Sequence, residues 1–340
     1  MSRAVTTPFL ICALLVGLTA VEVLRGQVDA TLDFYFIDVE GGQATLVVTP
    51  ARQSMLIDAG NPGDRDAGRI EAVARQAGLT RLDVMLTTHL DGDHHGGVSD
   101  VLTRLPVGTF VDHGPLRERT NELDALYEGY VKARAGGRHI EAKPGDRIPI
   151  RDLDATIVAS DGALLASPLP GAGEPNPLCE NSKMHDPDRT ENAYSLGAVI
   201  VSGRFRMLDL GDLNWNNEYM LACPNDLIGP IDLYLTTHHG LFQSGADVLV
   251  HAVKPRVAIM NNGATKGGST SAMRIVRSSP GLLDFWQIHY AVDSDANMPP
   301  AMIANPNEFS SYGFEVRARS DGSFTVTNQR THETKKYDGR

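Results

Sequence analysis

The chain is short of positive charge: 31 Lys and Arg stand against 42 Asp and Glu in 340 residues, a formal net charge of −11. That balance argues against a general electrostatic grip on nucleic-acid phosphates, which depends on Lys and Arg displacing condensed counterions. A local basic patch or a bound metal is what remains to attract an anion. Long apolar runs are missing beyond the first thirty residues, which excludes a multi-span membrane protein. Cysteine is scarce, and with Cys12 inside the N-terminal segment only Cys179 and Cys223 remain, either as one disulfide or as two unpaired thiols. The rest is ordinary globular composition, 42% hydrophobic and 21% charged, so collagen, coiled coil and disorder are out.

Arg3 precedes an apolar run from Pro8 to Val21 that is too short to span a bilayer comfortably, followed by compact residues at Val28-Asp29-Ala30. This is the pattern of a secretory signal peptide over residues 1–30, cleaved near Ala30, with an uncleaved anchor as the alternative. The expected location is secreted or periplasmic. Residues 31–340 are expected to form a single domain.

Leu32, Phe34 and Phe36 alternate along one strand face, and Ala44–Val48 and Met55–Ile57 follow as short apolar runs. Helical spacing then appears in Ile70, Val73, Ala74 and Ala77, stopping at Gly78, and again in Val98–Leu105 and Leu123–Val131. Strands resume at Leu196–Val201, Phe205–Leu208, Ile231–Leu235 and Val257–Met260. Strands and helices interleave, so the class is α/β or closely mixed. A Pro/Gly-rich stretch at about 161–192 has no periodicity and reads as an irregular loop insertion. The tail after Arg317 is polar and is expected to fray. One repeat stands out: Leu82-Asp83-Val84-Met85-Leu86-Thr87-Thr88-His89 is answered by Ile231-Asp232-Leu233-Tyr234-Leu235-Thr236-Thr237-His238, as two similar halves facing one site would produce.

The first copy runs into Leu90-Asp91-Gly92-Asp93-His94-His95-Gly96-Gly97, which packs imidazoles and carboxylates into a strand-to-helix turn where a loop can fold them around a cation. Asp209-Leu210-Gly211-Asp212 ends another strand with an acid, and His238-His239-Gly240 ends the repeated one. Together these segments supply ligands for one or two metal centres. Asp38 and Asp58 follow apolar strands and are either turn acids or supports for the metal loop. Lys266, in a Gly-rich loop, is either a phosphate-neutralising cation or a solvated loop residue. His289 reads as a structural histidine.

His-x-Asp-x-Asp-His-x-Gly-Gly, a later Gly-Asp and a His-His-Gly resemble the metallo-β-lactamase superfamily, and more closely the domain attached to ComEC-type DNA-uptake channels of competent bacteria. Phe36–Ala44 and Leu56–Gly60 also fit that domain's beginning, and the resemblance extends from about Leu32 to at least Asn262. It implies a four-layer αββα sandwich with two pseudo-symmetric halves and metals at one edge. It implies metal ligation by His89, Asp91, Asp93, His94, Asp212 and His238, with Asp91 in place of the second histidine and Asp212 bridging two ions. The repeat favours His238 over His239 as the last ligand. His239 then either supports the ligands from behind or faces the substrate, where it can serve as a proton donor, and Asp93 is both ligand and water orienter. The superfamily's third-motif histidine has no clear counterpart; Asn192, His185 and His113 are the candidates. The cofactor expected is one or two divalent ions, Zn or Mn, the oxygen-rich set weakening any insistence on zinc.

The resulting expectation is an exported metallo-hydrolase using a metal-bound hydroxide, on a small-molecule or nucleic-acid phosphodiester. The alternatives are a hydrolase of lactone, thioester or β-lactam carbonyls, and a metal-binding DNA-uptake accessory without turnover. No membrane partner is expected beyond the N-terminal segment.

Overall fold

Period-two alternation does in space what it does in sequence. In β1 (Leu32–Phe36), Leu32, Phe34 and Phe36 face an inner core while Tyr35 faces outward against helices. The computed structural model describes residues 1, 30–307 and 309–340, and the expected signal segment falls outside these except at its two ends. Thr31–Arg340 forms one compact unit. Among the described residues no helix is long and apolar enough to cross a membrane.

Antiparallel β2 (Thr45–Val48) and β3 (Ser54–Ile57) extend β1. Helix α1 (Asp64–Gln76) then leads to β4 (Leu82–Leu86), which runs parallel to β3. The short α2 (Gly92–His95) and α3 (Val98–Leu102) precede β5 (Val107–Asp112), and α4 (Asn121–Arg134) precedes β6 (Arg138–Glu141). Thr120 caps α4, its hydroxyl accepting from Leu123 N at 3.1 Å.

A second sheet is built from β7 (Asp154–Ser160), β8 (Ala163–Leu164), β9 (Gly197–Ser202) and β10 (Phe205–Asp209). Helix α5 (Trp215–Ala222), β11 (Leu233–Leu235), α6 (Asp247–Val253), β12 (Val257–Met260), α7 (Thr270–Arg277), β13 (Asp284–His289) and β14 (Ile303–Asn305) complete it in alternation. The sheet order is β14-β13-β12-β11-β10-β9-β7-β8. The chain then returns to the first sheet with β15 (Phe314–Ala318), β16 (Phe324–Asn328) and β17 (Thr334–Tyr337), giving β17-β16-β15-β1-β2-β3-β4-β5-β6.

Three apolar clusters make four layers. Leu32, Phe34, Met55, Phe205, Val257 and Ile259 lie between the sheets. Leu46, Leu56, Ile70 and Val101 pack the first sheet on α1 and α3, and Leu208, Ala258, Leu249 and Met273 pack the second on α6 and α7. The αββα architecture expected from the sequence is present.

The tail corrects an expectation. Instead of fraying, β16 and β17 pair antiparallel with β15 and bury Phe324, Val326 and Tyr337; the Phe324 ring sits 5.4 Å from that of Phe205. The polar residues that suggested a frayed end are the outward half of an alternation whose inward half closes the inner core. The 161–192 segment is largely irregular but well anchored. Asn176 Nδ2 donates to Ala222 O and Val248 O, and a disulfide joins Cys179 to Cys223 with a Cα separation of 5.8 Å.

Candidate metal centre

Strands β4, β10 and β11 deliver their carboxyl ends to one edge, the place where α/β sheets commonly present ligand-binding loops. The two repeat copies are thereby matched in space: β4 lies between two parallel partners in the first sheet and β11 between two in the second, each ending in Thr-Thr-His. The turn after β4 is stapled down by backbone hydrogen bonds from Gln43 N to Asp93 O (3.1 Å) and Ala59 N to His94 O (2.7 Å). At Gly97 a Cβ would stand 2.1 Å from Ala59 O, so only glycine allows this approach. The turn after β11 carries two successive left-handed residues, His238 (φ 56°) and His239 (φ 53°). This is a conformation that costs ordinary residues roughly 1–2 kcal/mol each and that clusters at functional sites.

One ligand atom from each of Asp93, His94, Asp212 and His239 lies within 4.8 Å of all the others. Asp212 Oδ2 is the hub, 3.2 Å from His239 Nε2, 3.3 Å from His94 Nε2, 3.5 Å from His238 Nε2 and 4.0 Å from His89 Nε2. His89 Nε2 is also 3.4 Å from Asp91 Oδ2. Of the six expected ligands, Asp93, His94 and Asp212 share the tight group of four with His239, while His238 and His89 approach Asp212 Oδ2 from outside it and Asp91 approaches His89. The sequence argument had favoured the opposite order, because the repeat aligns His238 with His89 and says nothing about which ring a left-handed turn swings inward. His239 Nε2 is also 3.3 Å from Asp93 Oδ2, so its ring faces the group of four.

Asp58 settles its own role. Fully buried, it accepts hydrogen bonds from Thr88 N (2.7 Å) and Thr88 Oγ1 (2.6 Å), and its Oδ2 is 2.8 Å from His94 Nδ1. A proton on that nitrogen leaves the Nε2 lone pair of His94 aimed into the cluster, the arrangement typical of metal-ligating histidines. Asp38 does not reach the metal loop: its carboxylate holds His289 Nε2 (2.8 Å) and Arg69 Nη1 (3.3 Å), which makes His289 structural.

The electrostatics call for a cation. Burial alone pushes the Asp93 and Asp212 carboxyls up, but the surrounding imidazoles outweigh it and hold both well below the usual carboxylate range. Conversely, burial pulls His94 and His239 down, yet Asp212 and its neighbours lift both above the ordinary imidazole value. His89 Nε2, Asp212 Oδ1 and His239 Nδ1 are moreover buried without a hydrogen-bond partner among the described residues. Two carboxylates and two imidazoles, with unspent donor atoms beside them, fit a divalent ion.

None of the three third-motif candidates enters the group of four. His113 is buried against Glu191, its Nε2 2.8 Å from the carboxylate. His185 stacks on Trp215, and Asn192 keeps a buried Oδ1 with no hydrogen-bond partner among the described residues.

Residues 37–174 match the family model of the metallo-beta-lactamase superfamily. The two facing sheets flanked by helices are consistent with the αββα sandwich of that superfamily. Among solved structures the chain is similar to the metallo-beta-lactamase fold protein YhfI from Bacillus subtilis, at 11% identity over 76% of this chain and 96% of that one, with a TM-score of 0.47. It is also similar to CmlA, a diiron beta-hydroxylase from Streptomyces venezuelae, at 15% identity, coverages of 69% and 45% and a TM-score of 0.40. A third is MEM-A1, a subclass B3 metallo-beta-lactamase from a soil metagenome library, at 16% identity, coverages of 55% and 65% and a TM-score of 0.33. A search of curated proteins gives no significant match.

Within this sandwich, sequence reasoning undervalued Lys266. Its ammonium contacts Asp93 Oδ2, carried there by a Gly-rich loop pressed on the His238–Gly240 turn. A Cβ on Gly267 would sit 2.2 Å from His239 O, and the Gly267-Gly268 pair was the signal of that close packing. Ser244, whose Oγ is 3.2 Å from His238 Nδ1, carried no sequence signal.

Proposed function

We infer that this chain is a metal-dependent hydrolase acting on phosphodiesters. The observation that carries the reading is the group formed by Asp93, His94, Asp212 and His239 with Lys266 at its edge: a cation-seeking cluster beside a fixed ammonium. Those four residues would hold one divalent ion, and His89, Asp91 and His238, sharing Asp212, would hold a second. A bound divalent ion supplies Lewis-acid polarisation and an acidified water.

The chain's own groups do the rest. Asp93 orients the attacking water, and Asp58 keeps His94 in the ligating tautomer. Lys266 meets the negative charge that grows on the phosphoryl oxygens. The water oxygen would bond to phosphorus, giving up one proton to solvent, as the bond to the leaving oxygen breaks, and the departing alkoxide would take a proton from solvent beside Lys266, whose side chain is 41% exposed. Oxygen-rich ligation supports Mn as well as Zn. The N-terminal pattern and the Cys179–Cys223 disulfide support export, and the resemblance to the ComEC-type domain supports a nucleic-acid-related substrate.

The test is hydrolysis of bis-p-nitrophenyl phosphate by metal-stripped protein given Mn²⁺ or Zn²⁺, beside Asp93→Ala. Metal-dependent turnover absent from the variant is expected. No turnover above the variant with either metal, or turnover confined to p-nitrophenyl acetate and β-lactams, overturns it.

A further inference from the structure

Two hollows share Phe242, two residues past the His238–Gly240 turn. One, of about 650 Å³, is lined by residues including Phe242, Lys266, Thr270 and Arg274. The other, of about 210 Å³, is lined by residues including His185, Asn192, Trp215 and again Phe242. Phe242 is 61% exposed, an apolar ring in water where the two hollows meet. Beyond it the His185 and Trp215 rings are stacked, centroids 4.3 Å apart and 11° from parallel. At the inner end the Lys266 loop is fixed by hydrogen bonds from Gly268 N to His239 O and Ser269 N to Gly240 O, both 2.9 Å, so the ammonium is held beside the cluster rather than swinging free.

We propose that this groove seats a short single-stranded nucleotide phosphodiester, with Lys266 on a non-bridging phosphate oxygen and Phe242 beneath a nucleobase, and that these two residues set specificity. The inference rests on the phosphodiester reading above. Every nucleobase offers a π face to an exposed aromatic ring, so such a platform binds bases with little sequence preference. The occupant is short because both hollows carry acids: Asp293 lines the larger, and Asp186 and Asp188 the smaller. Arg274, the other cation of the larger hollow, is paired with Asp295 at 3.0 Å. A second or third phosphate would therefore meet carboxylates, and the net charge of −11 adds long-range repulsion against a polyanion.

The experiment is calorimetric titration of the chain with the dinucleoside monophosphate of thymidine and with dimethyl phosphate, which has the diester but no base. The dinucleoside should bind about tenfold more tightly, and Phe242→Ala should remove about that factor. Lys266→Gln should weaken both ligands about tenfold, as expected for loss of a charge-assisted hydrogen bond. Leu283→Ala, an exposed apolar residue leading into β13, should keep the wild-type preference. Equal affinity for the two ligands, or a preference that survives Phe242→Ala, overturns the base platform. Tighter binding of a long thymidine homopolymer with a steep salt dependence overturns the short occupant. Base-dependent binding without hydrolysis of any diester sinks the hydrolase reading alone, whereas hydrolysis without base preference sinks this inference alone.

Discussion

Replacing Asp58 by Asn tests whether the buried carboxylate behind His94 exists to prepare a metal ligand. Asp58 faces hydrogen only: Thr88 N, Thr88 Oγ1 and His94 Nδ1 surround its two oxygens at 2.6–2.8 Å. An asparagine can keep Oδ1 on Thr88 N, but its amide then points hydrogens at His94 Nδ1. The imidazole is driven to the other tautomer, with Nε2 protonated and its lone pair withdrawn from the cluster. Loss of such a support weakens metal binding about 10–100-fold, or roughly 1.4–2.7 kcal/mol. The metal-free fold should also lose about 1.5–3 kcal/mol, the worth of a hydrogen bond to a charged group. Calorimetric titration with Zn²⁺ and Mn²⁺, paired with denaturant unfolding in chelator, separates the two effects. A folded Asp58→Asn protein that binds both metals as tightly as wild type would refute the account of His94.

Glu218 is fully buried, accepts from Ala246 N at 2.8 Å, and burial pushes its carboxyl up to about 7 from the usual 4.5. The folded state then keeps a proton that the unfolded chain releases, so stability should fall as pH rises through that window, by about 3 kcal/mol, and level off above it. Glu218→Gln should gain close to that amount at about pH 8 and little at about pH 5 in urea unfolding; an equal effect at both would contradict the assignment. The Cys179–Cys223 bond spans 44 residues of sequence, and its replacement by two serines should cost about 3–4 kcal/mol if the cross-link chiefly restricts the unfolded chain. An unchanged unfolding midpoint after reduction would show that the packed 161–192 segment needs no cross-link.

Local pattern carried much of this molecule. Alternation in Leu32–Phe36, helical spacing ending at Gly78 and the paired Thr-Thr-His strands made the layers and the position of the site legible, because a residue's face follows from backbone period alone. Ligand types within one turn, as at His89–His94, were equally visible. The tail was misread because its polar residues obscured Phe324, Val326 and Tyr337, whose burial depends on Phe34 and Phe205 nearly 300 and 120 residues upstream. Which of His238 and His239 enters the group of four depended on two left-handed residues, and backbone handedness at non-glycine positions has no signature in composition. Asp58, Asp38 and Lys266 were ambiguous for a related reason: each is defined by a partner 30 or more residues away, His94, His289 and Asp93 respectively. Sequence by itself determined the periods, the turns and the chemistry on offer. Only the tertiary structure decided which donors share a point in space, since that depends on how two sheets meet.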